Sequence, residues 1–342
     1  MKKDILKKLL YDIRNGTSHS VDYLLSNNTQ DTLSKKGIKI RKIFSPLLRA
    51  IYLTQTKYKL IKEPKTGKVN KKPGKIFVMN HRQADDIVLG ANAIGEHAYV
   101  VFGNKDLALE TTYGLGLFLN GVILVDRSSK ESRKAAYEKM KFIVENGGNV
   151  WIFPEGYWNL ADDGLKDETH EADCHDSECW LMQDINIGAL RLAKETGSPI
   201  VPVILHYDEV GKKRCYSKRG SEFYINSDDD VFKKKDELME IMNTTYYNLM
   251  EKYSSYSRAE LESDGISLRE KWIQLKEELV RACDIPKRGY KLDLKDEKRI
   301  GKAKVGRPFT SNEEAFEHTN NIVITKNNAF LLSKRLSGQK KR

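Results

Sequence analysis

His81 stands five positions before Asp86 in the segment Asn80-His81-Arg82-Gln83-Ala84-Asp85-Asp86. The segment follows directly on a short apolar run, Ile76-Phe77-Val78-Met79. A histidine with an acid a few residues on can act as a general base: the carboxylate fixes the imidazole tautomer and stabilises the cation that forms when a proton is taken. The same residues also make an ordinary surface loop, because short patterns match often by chance. Other run ends add weight. Val122-Ile123-Leu124-Val125 leads into Asp126-Arg127, and an arginine there suits a bidentate grip on phosphate, or a surface ion pair. Asn149-Val150-Trp151-Ile152-Phe153 leads into Pro154-Glu155-Gly156. Gly156 would let a ligand come close to the backbone and Glu155 could accept from a hydroxyl, or the three residues form a plain turn.

The elements that must position these residues alternate in type. Ile76–Met79, Ala98–Phe102, Val122–Val125, Asn149–Phe153 and Ile200–Leu205 have the length and apolarity of buried strands. Between them, Ser128-Ser129-Lys130-Glu131 has capping-box spacing and opens a helix through about Glu145, closed by Gly147-Gly148. Another helix runs from about Asp184 to Gly197. The alternation predicts an α/β domain with a largely parallel mixed sheet flanked by helices, with helical N- and C-terminal extensions. In such sheets ligands bind at the carboxyl ends of strands, where His81, Arg127 and Glu155 fall. Pro202 is awkward in a central strand and predicts an edge or a bulge.

Three regions follow from this reading. Residues 1–74 are helical and basic, 75–230 form the α/β domain, and 231–342 are a helical and charged extension with candidate helices at Glu237–Lys252 and Leu268–Cys283. Within the first region Ser45 is read as a helix cap with Pro46 at the first helical position, so that Leu47, Leu48, Ile51 and Tyr52 share a face. Lys35, Lys36, Lys39, Arg41 and Lys42 lie just before them, a pattern that suits either contact with an anionic membrane surface or a helix packed on the core with a solvated charged face.

Bulk properties narrow the field. The 342 residues carry a net charge of +11, with 39% hydrophobic and 31% charged residues, which argues for a folded chain with a charged surface. The charged start Met1-Lys2-Lys3-Asp4 is no signal-peptide core, and no apolar run is long enough to span a bilayer. Four cysteines are too sparse for a disulfide scaffold, so a cytoplasmic protein with reduced thiols is expected. The stretch from Lys287 to Arg307 holds nine basic and three acidic residues but one aromatic and no nucleic-acid-binding motif. Eight acids lie between Asp162 and Glu178, with His170, Cys174, His175 and Cys179 among or beside them. Their spacing matches no standard zinc site, and a solvated acidic loop without metal is expected.

Four segments, in order, resemble the sequence blocks of the glycerol-phosphate and lysophosphatidate (lysophospholipid) acyltransferase family. Asn80-His81 with Asp86 is similar to its first block, Gly121 to Arg127 to its second, Phe153-Pro154-Glu155-Gly156 to its third and Ile200-Val201-Pro202-Val203 to its fourth. The helix containing Gly188-Ala189-Leu190-Arg191 is similar to the one before that fourth block. The likeness covers about Lys75 to Tyr207 and selects Asp86 over Asp85 as the partner of His81. It implies an acyl-CoA or acyl-carrier-protein donor, a lysophosphatidate-like glycerolipid acceptor, no metal or cofactor, and a peripheral place on the inner face of a membrane. It also implies His81 and Asp86 as catalytic residues, and Arg127, Glu155, Gly156 and Pro202 as substrate-binding ones. One departure is plain: the family commonly follows its third block with Thr-Arg-Ser, where this chain has Tyr157-Trp158-Asn159. An acceptor with another headgroup, or a non-glycerolipid alcohol, is therefore a second expectation. A non-catalytic basic nucleic-acid-binding protein is the rival from another class, and an inactive scaffold a third, against which the intact His81/Asp86 pair speaks.

Overall fold

The computed structural model describes residues 34–65, 74–82, 85–103, 116–117, 119–127, 129–156, 158–160, 174–176, 185–207 and 213–253. The expected helix Leu268–Cys283, the basic stretch after Lys287, and most of the acidic 162–178 segment lie outside them. The described elements, in chain order, are α1 (Lys35–Leu53), β1 (Lys59–Lys62), β2 (Ile76–Met79), α2 (Asp85–Ile94), β3 (Tyr99–Phe102), β4 (Val122–Leu124), α3 (Lys130–Glu145), β5 (Val150–Ile152), β6 (Trp158–Leu160), β7 (Cys174–Asp176), α4 (Gly188–Thr196), β8 (Ile200–Tyr207), β9 (Arg214–Arg219) and α5 (Val231–Tyr253).

Seven strands form one mixed sheet in the order β1-β9-β8-β2-β5-β3-β4. The strands β8, β2, β5, β3 and β4 are mutually parallel, while β9 runs against β8 and β1 runs with β9. Helices cover both faces, which is why the strands read as unbroken apolar runs rather than as alternating ones. Ile76 and Val78 of β2 point into a core shared with α3, α4 and α5. Phe77 and Met79 point into the opposite core, shared with α2 and Tyr52 of α1. A one-residue slip of β2 would exchange the two sets.

Two sequence expectations are corrected. The helix read as beginning at Ser45-Pro46 begins at Lys35, where Ser34 Oγ accepts from the backbone N–H of Gly37 at 2.9 Å. Pro46 lies inside α1. It costs the helix one donor, tolerated because Pro46 and Lys42 are both on the exposed side, where water can reach the carbonyl left over. Pro202, read as marking an edge or a bulge, lies in a central strand. Ile200 pairs with Phe223 and Val203 with Arg219, so two residues of β8 face three of the opposing chain, Gly220 to Glu222. The bulge is there and the edge is not. Gly220 N–H donates to the Pro202 carbonyl at 2.9 Å, and a Cβ on Gly220 would come 2.8 Å from Pro202 Cγ.

Outside the main sheet's hydrogen bonding, β6 and β7 pair in parallel as a two-stranded ribbon, Trp158 opposite Cys174 and Leu160 opposite Asp176. Among the described residues, no group of three or more His, Cys, Asp or Glu side chains is placed to hold a metal ion. No described helix is long and apolar enough to cross a membrane.

Candidate active site

The parallel strands end on one edge of the sheet, and that edge gathers the chemistry. The chain leaves β2 through Asn80, whose side chain continues the β2–β8 ladder after the backbone has left it. Asn80 Nδ2–H donates to the Leu205 carbonyl at 2.9 Å, and Asn80 Oδ1 accepts from Leu205 N–H at 2.8 Å. This buried clamp sets the direction in which the next residue, His81, leaves the sheet.

His81 is then held from three sides. Its backbone N–H donates to Glu155 Oε1 at 3.0 Å, its ring stacks on Phe153 at 3.8 Å, and its Nδ1 lies 2.9 Å from Asp86 Oδ2. The Asp86 side chain is fully buried while that of His81 keeps 12% of its surface. Asp86 lies in the first turn of α2, where the helix N-terminus favours negative charge. Its Oδ2 also accepts from the Arg82 N–H, and its Oδ1 from the Tyr207 hydroxyl. A carboxylate facing so many donors accepts from the ring as well. Nδ1 therefore carries the hydrogen and Nε2 the lone pair, the tautomer a general base needs. Gly90 lets α2 lie close on the sheet, since a Cβ there would come 2.5 Å from Trp151 and 2.7 Å from Met79 Sδ.

Arg127 reaches the same edge from the end of β4. Its guanidinium lies over Gly103 at the end of β3, where a Cβ would come 2.6 Å from Arg127 Nε. Arg127 Nη1 is 3.8 Å from the Cβ position of Gly156, which has a φ of +79°. The structure thus brings His81, Asp86, Glu155, Gly156 and Arg127 to one edge. Pro202 is not with them; it is buried in the ladder opposite Val78. Glu155, expected to shape a substrate surface, is fully buried and holds the His81 backbone instead. Tyr157 lies outside the described residues.

Three supporting residues went unread in the sequence: Asn80, Tyr207 and Tyr246. Tyr246 of α5 accepts from Arg82 Nη1, next to His81. Asn80 had the clearest signal, standing beside His81 at a strand end.

Residues 61–206 match the family model described as Acyltransferase. Over these residues the chain is similar to that family. Among solved structures, the 1-acyl-sn-glycerophosphate (LPA) acyltransferase PlsC from Thermotoga maritima is similar at 17% identity, over 60% of this chain and 82% of its own, with a TM-score of 0.41. No curated protein matches the chain. The matched residues include His81, Asp86, Arg127, Glu155 and Gly156; Tyr207 and Tyr246 fall beyond them.

Proposed function

We propose that the chain moves a fatty-acyl group from acyl-CoA or an acyl-carrier protein to a hydroxyl of a glycerolipid precursor. The observation that carries this reading is the 2.9 Å contact of His81 Nδ1 with buried Asp86, at the strand-end edge of a domain similar to the acyltransferase family. His81 Nε2 takes the proton of the acceptor hydroxyl as its oxygen attacks the thioester carbonyl. The C–S bond then breaks, and the leaving thiolate takes the proton back from the imidazolium. The products are an ester and a free thiol. Asp86 keeps the ring in the reactive tautomer and stabilises the cation between the two transfers. Arg127, near Gly156, binds an acceptor phosphate. The scheme uses the thioester as co-substrate and no cofactor.

An apolar cavity of about 220 Å³ lies between α1, α2 and the sheet, lined by Leu48, Tyr52, Ile87, Val88, Val100 and Trp151 among others. Ile87 follows Asp86, and the Trp151 ring is 5.1 Å from Phe153, which stacks on His81. This is a suitable place for a hydrocarbon chain. Beside it, α1 exposes Ile40, Ile43, Phe44, Leu47 and Ile51 at helical spacing, with Lys35, Lys36 and Lys39 also exposed. That surface fits contact with an anionic membrane.

A second reading keeps the chemistry and changes the acceptor. Tyr157-Trp158-Asn159 stands where the family commonly carries an arginine, which favours an alcohol other than a lysophosphatidate. Both readings meet one assay: purified protein, acyl-CoA or acyl-carrier protein, and a panel of lysolipid and soluble alcohols, with thiol release followed and products identified by mass spectrometry. Acceptor-dependent thiol release is expected. Its absence with every pair, or its persistence in His81→Ala, would overturn the proposal.

A further inference from the structure

Asp86 is gripped from the side opposite His81 by the last residue of β8. Tyr207 donates its hydroxyl proton to Asp86 Oδ1 while His81 Nδ1 and Arg82 N–H share Oδ2. Tyr207 is 8% exposed and its ring meets Tyr58 edge to face at 4.9 Å. It pairs across the sheet with Cys215, which is fully buried. The hydroxyl therefore sits in a dry, fixed place, where a hydrogen bond to a carboxylate is worth more than in water.

We propose that Tyr207 is a positioning residue of the reaction, holding Asp86 and setting the base strength of His81. This inference rests on the reading of His81 as general base. A donor on Oδ1 draws charge from the carboxylate. Asp86 is then a weaker partner for the His81 imidazolium than a bare carboxylate would be. The hydrogen bond also keeps the carboxylate from turning away from the ring.

The other titratable and charged groups around the pair are Arg82 and Asp85 from the β2–α2 connection, Glu155 from the loop after β5, and Cys215 from β9. Glu155 acts on the His81 backbone and Arg82 reaches Tyr246. The Cys215 thiol is pushed well up by burial, and further by the Asp86 charge, so it stays neutral over the working range. Tyr207, whose side chain also hydrogen-bonds the Cys215 thiol, donates its proton to Asp86 Oδ1.

Tyr207→Phe removes the hydroxyl and keeps the ring against Tyr58. The test is the pH dependence of kcat/KM for thiol release in the parent and Tyr207→Phe. It is run beside an NMR titration of the His81 ring in both proteins without substrate, with thermal melting to confirm that both are folded. In Tyr207→Phe the acid limb and the His81 titration both move to higher pH, by about half a unit or more, which is what loss of one hydrogen bond to a charged group delivers. The KM values for donor and acceptor stay unchanged. An unmoved limb and titration, or a shift to lower pH, would overturn the role of Tyr207. His81→Ala is run alongside: if it retains turnover the general-base reading fails, whereas an inactive His81→Ala beside an unshifted Tyr207→Phe removes the Tyr207 inference alone. Should Tyr207→Phe melt below the assay temperature, Tyr207→Met, which also lacks the donor, is used with the same two readouts and the same expected shift.

Discussion

The hydroxyl of Tyr246, on helix α5, holds the guanidinium of Arg82, the residue that follows His81. Arg82 also lies over the Tyr246 ring, 5.9 Å from its centroid, and both residues are buried. A helix outside the matched residues 61–206 is thereby tied to the loop that carries the proposed base. Tyr246→Phe removes one acceptor from a buried guanidinium, at a cost of about 1–3 kcal/mol. The denaturant midpoint and the turnover number are expected to fall together. Tyr253→Phe, whose hydroxyl reaches Glu63 at the C-terminal end of α5, is expected to lower turnover little. Equal effects of the two on turnover would show that α5 supports the fold generally and not this loop.

The order of the acidic variants follows from the hydrogen bonds on Asp86. An asparagine offers one acceptor oxygen and one donor group, so it cannot receive His81, Arg82 and Tyr207 at once. Asp86→Asn and His81→Ala are each expected to lower turnover by about a hundredfold or more. Asp85→Asn, which leaves every hydrogen bond on the Asp86 carboxylate in place, is expected to cost far less. Single-turnover thiol release on the three folded proteins tests this, and a larger loss in Asp85→Asn would reverse the assignment.

What could be read from the sequence divides along physical lines. The strands β2, β3, β4, β5 and β8 were legible because both faces are buried, which leaves continuous apolar runs. The strands β1 and β9 were not: Lys59-Leu60-Ile61-Lys62 and Arg214-Cys215-Tyr216-Ser217-Lys218-Arg219 carry polar and charged residues, and the tertiary neighbours decide their state. Ser45-Pro46 has the form of a helix start, yet the upstream cap at Ser34 takes α1 straight through it. His81, Asp86, Arg127 and Glu155 stood out because their blocks lie at strand ends. The supporting roles of Asn80, Tyr207 and Tyr246 did not, since each rests on a side chain whose partner is more than a hundred positions away.

Arg127 offers a test that leaves its own side chain intact. Gly103→Ala puts a methyl 2.6 Å from Arg127 Nε and 2.7 Å from Nη2, too close to coexist, so the guanidinium must move. If Arg127 grips an acceptor phosphate, Gly103→Ala and Arg127→Ala should both raise the acceptor KM and leave the donor KM unchanged. Arg127→Lys should restore part of the loss, because an ammonium supplies charge without the fork. A raised donor KM instead would move Arg127 to the thioester side.

The opposite edge of the sheet sets a pH limit on stability. His97 is 4% exposed, its Nε2 meets the Asn120 carbonyl at 2.6 Å, and burial lowers its pKa to about 4. The unfolded histidine titrates near pH 6.5. Between those values the unfolded chain binds a proton that the folded chain refuses, so stability falls as the pH drops from about 6.5 to about 4. The full loss is of order 3 kcal/mol. Urea midpoints measured from pH 7 to 4.5 should fall, and should fall less steeply in His97→Gln, whose amide can still donate to Asn120. Parallel slopes in the two proteins would place the acid sensitivity elsewhere.

The surface of α1 offers a test of the proposed membrane contact. Ile43 is 73% exposed, Leu47 60% and Phe44 56%, along a helix whose other side is fixed by buried Ile38, Ser45 and Tyr52. Lys35, Lys36 and Lys39 are exposed, whereas Arg41 lies over Tyr99 at 5.5 Å and Lys42 donates to the Gly147 carbonyl. The first three can therefore turn to a membrane without unpicking the fold. Each basic residue near an anionic surface contributes about 1 kcal/mol, screened by salt. Changing Lys35, Lys36 and Lys39 to Gln should weaken binding to anionic vesicles by roughly a hundredfold, and binding to neutral vesicles little. Phe44→Ser with Leu47→Ser should weaken both. All these variants should keep the parent's activity on a soluble short-chain acceptor, since none of the five residues touches the His81 edge. A parent protein that ignores anionic vesicles would make α1 a packed helix with a chance apolar face, and the acceptor a soluble alcohol.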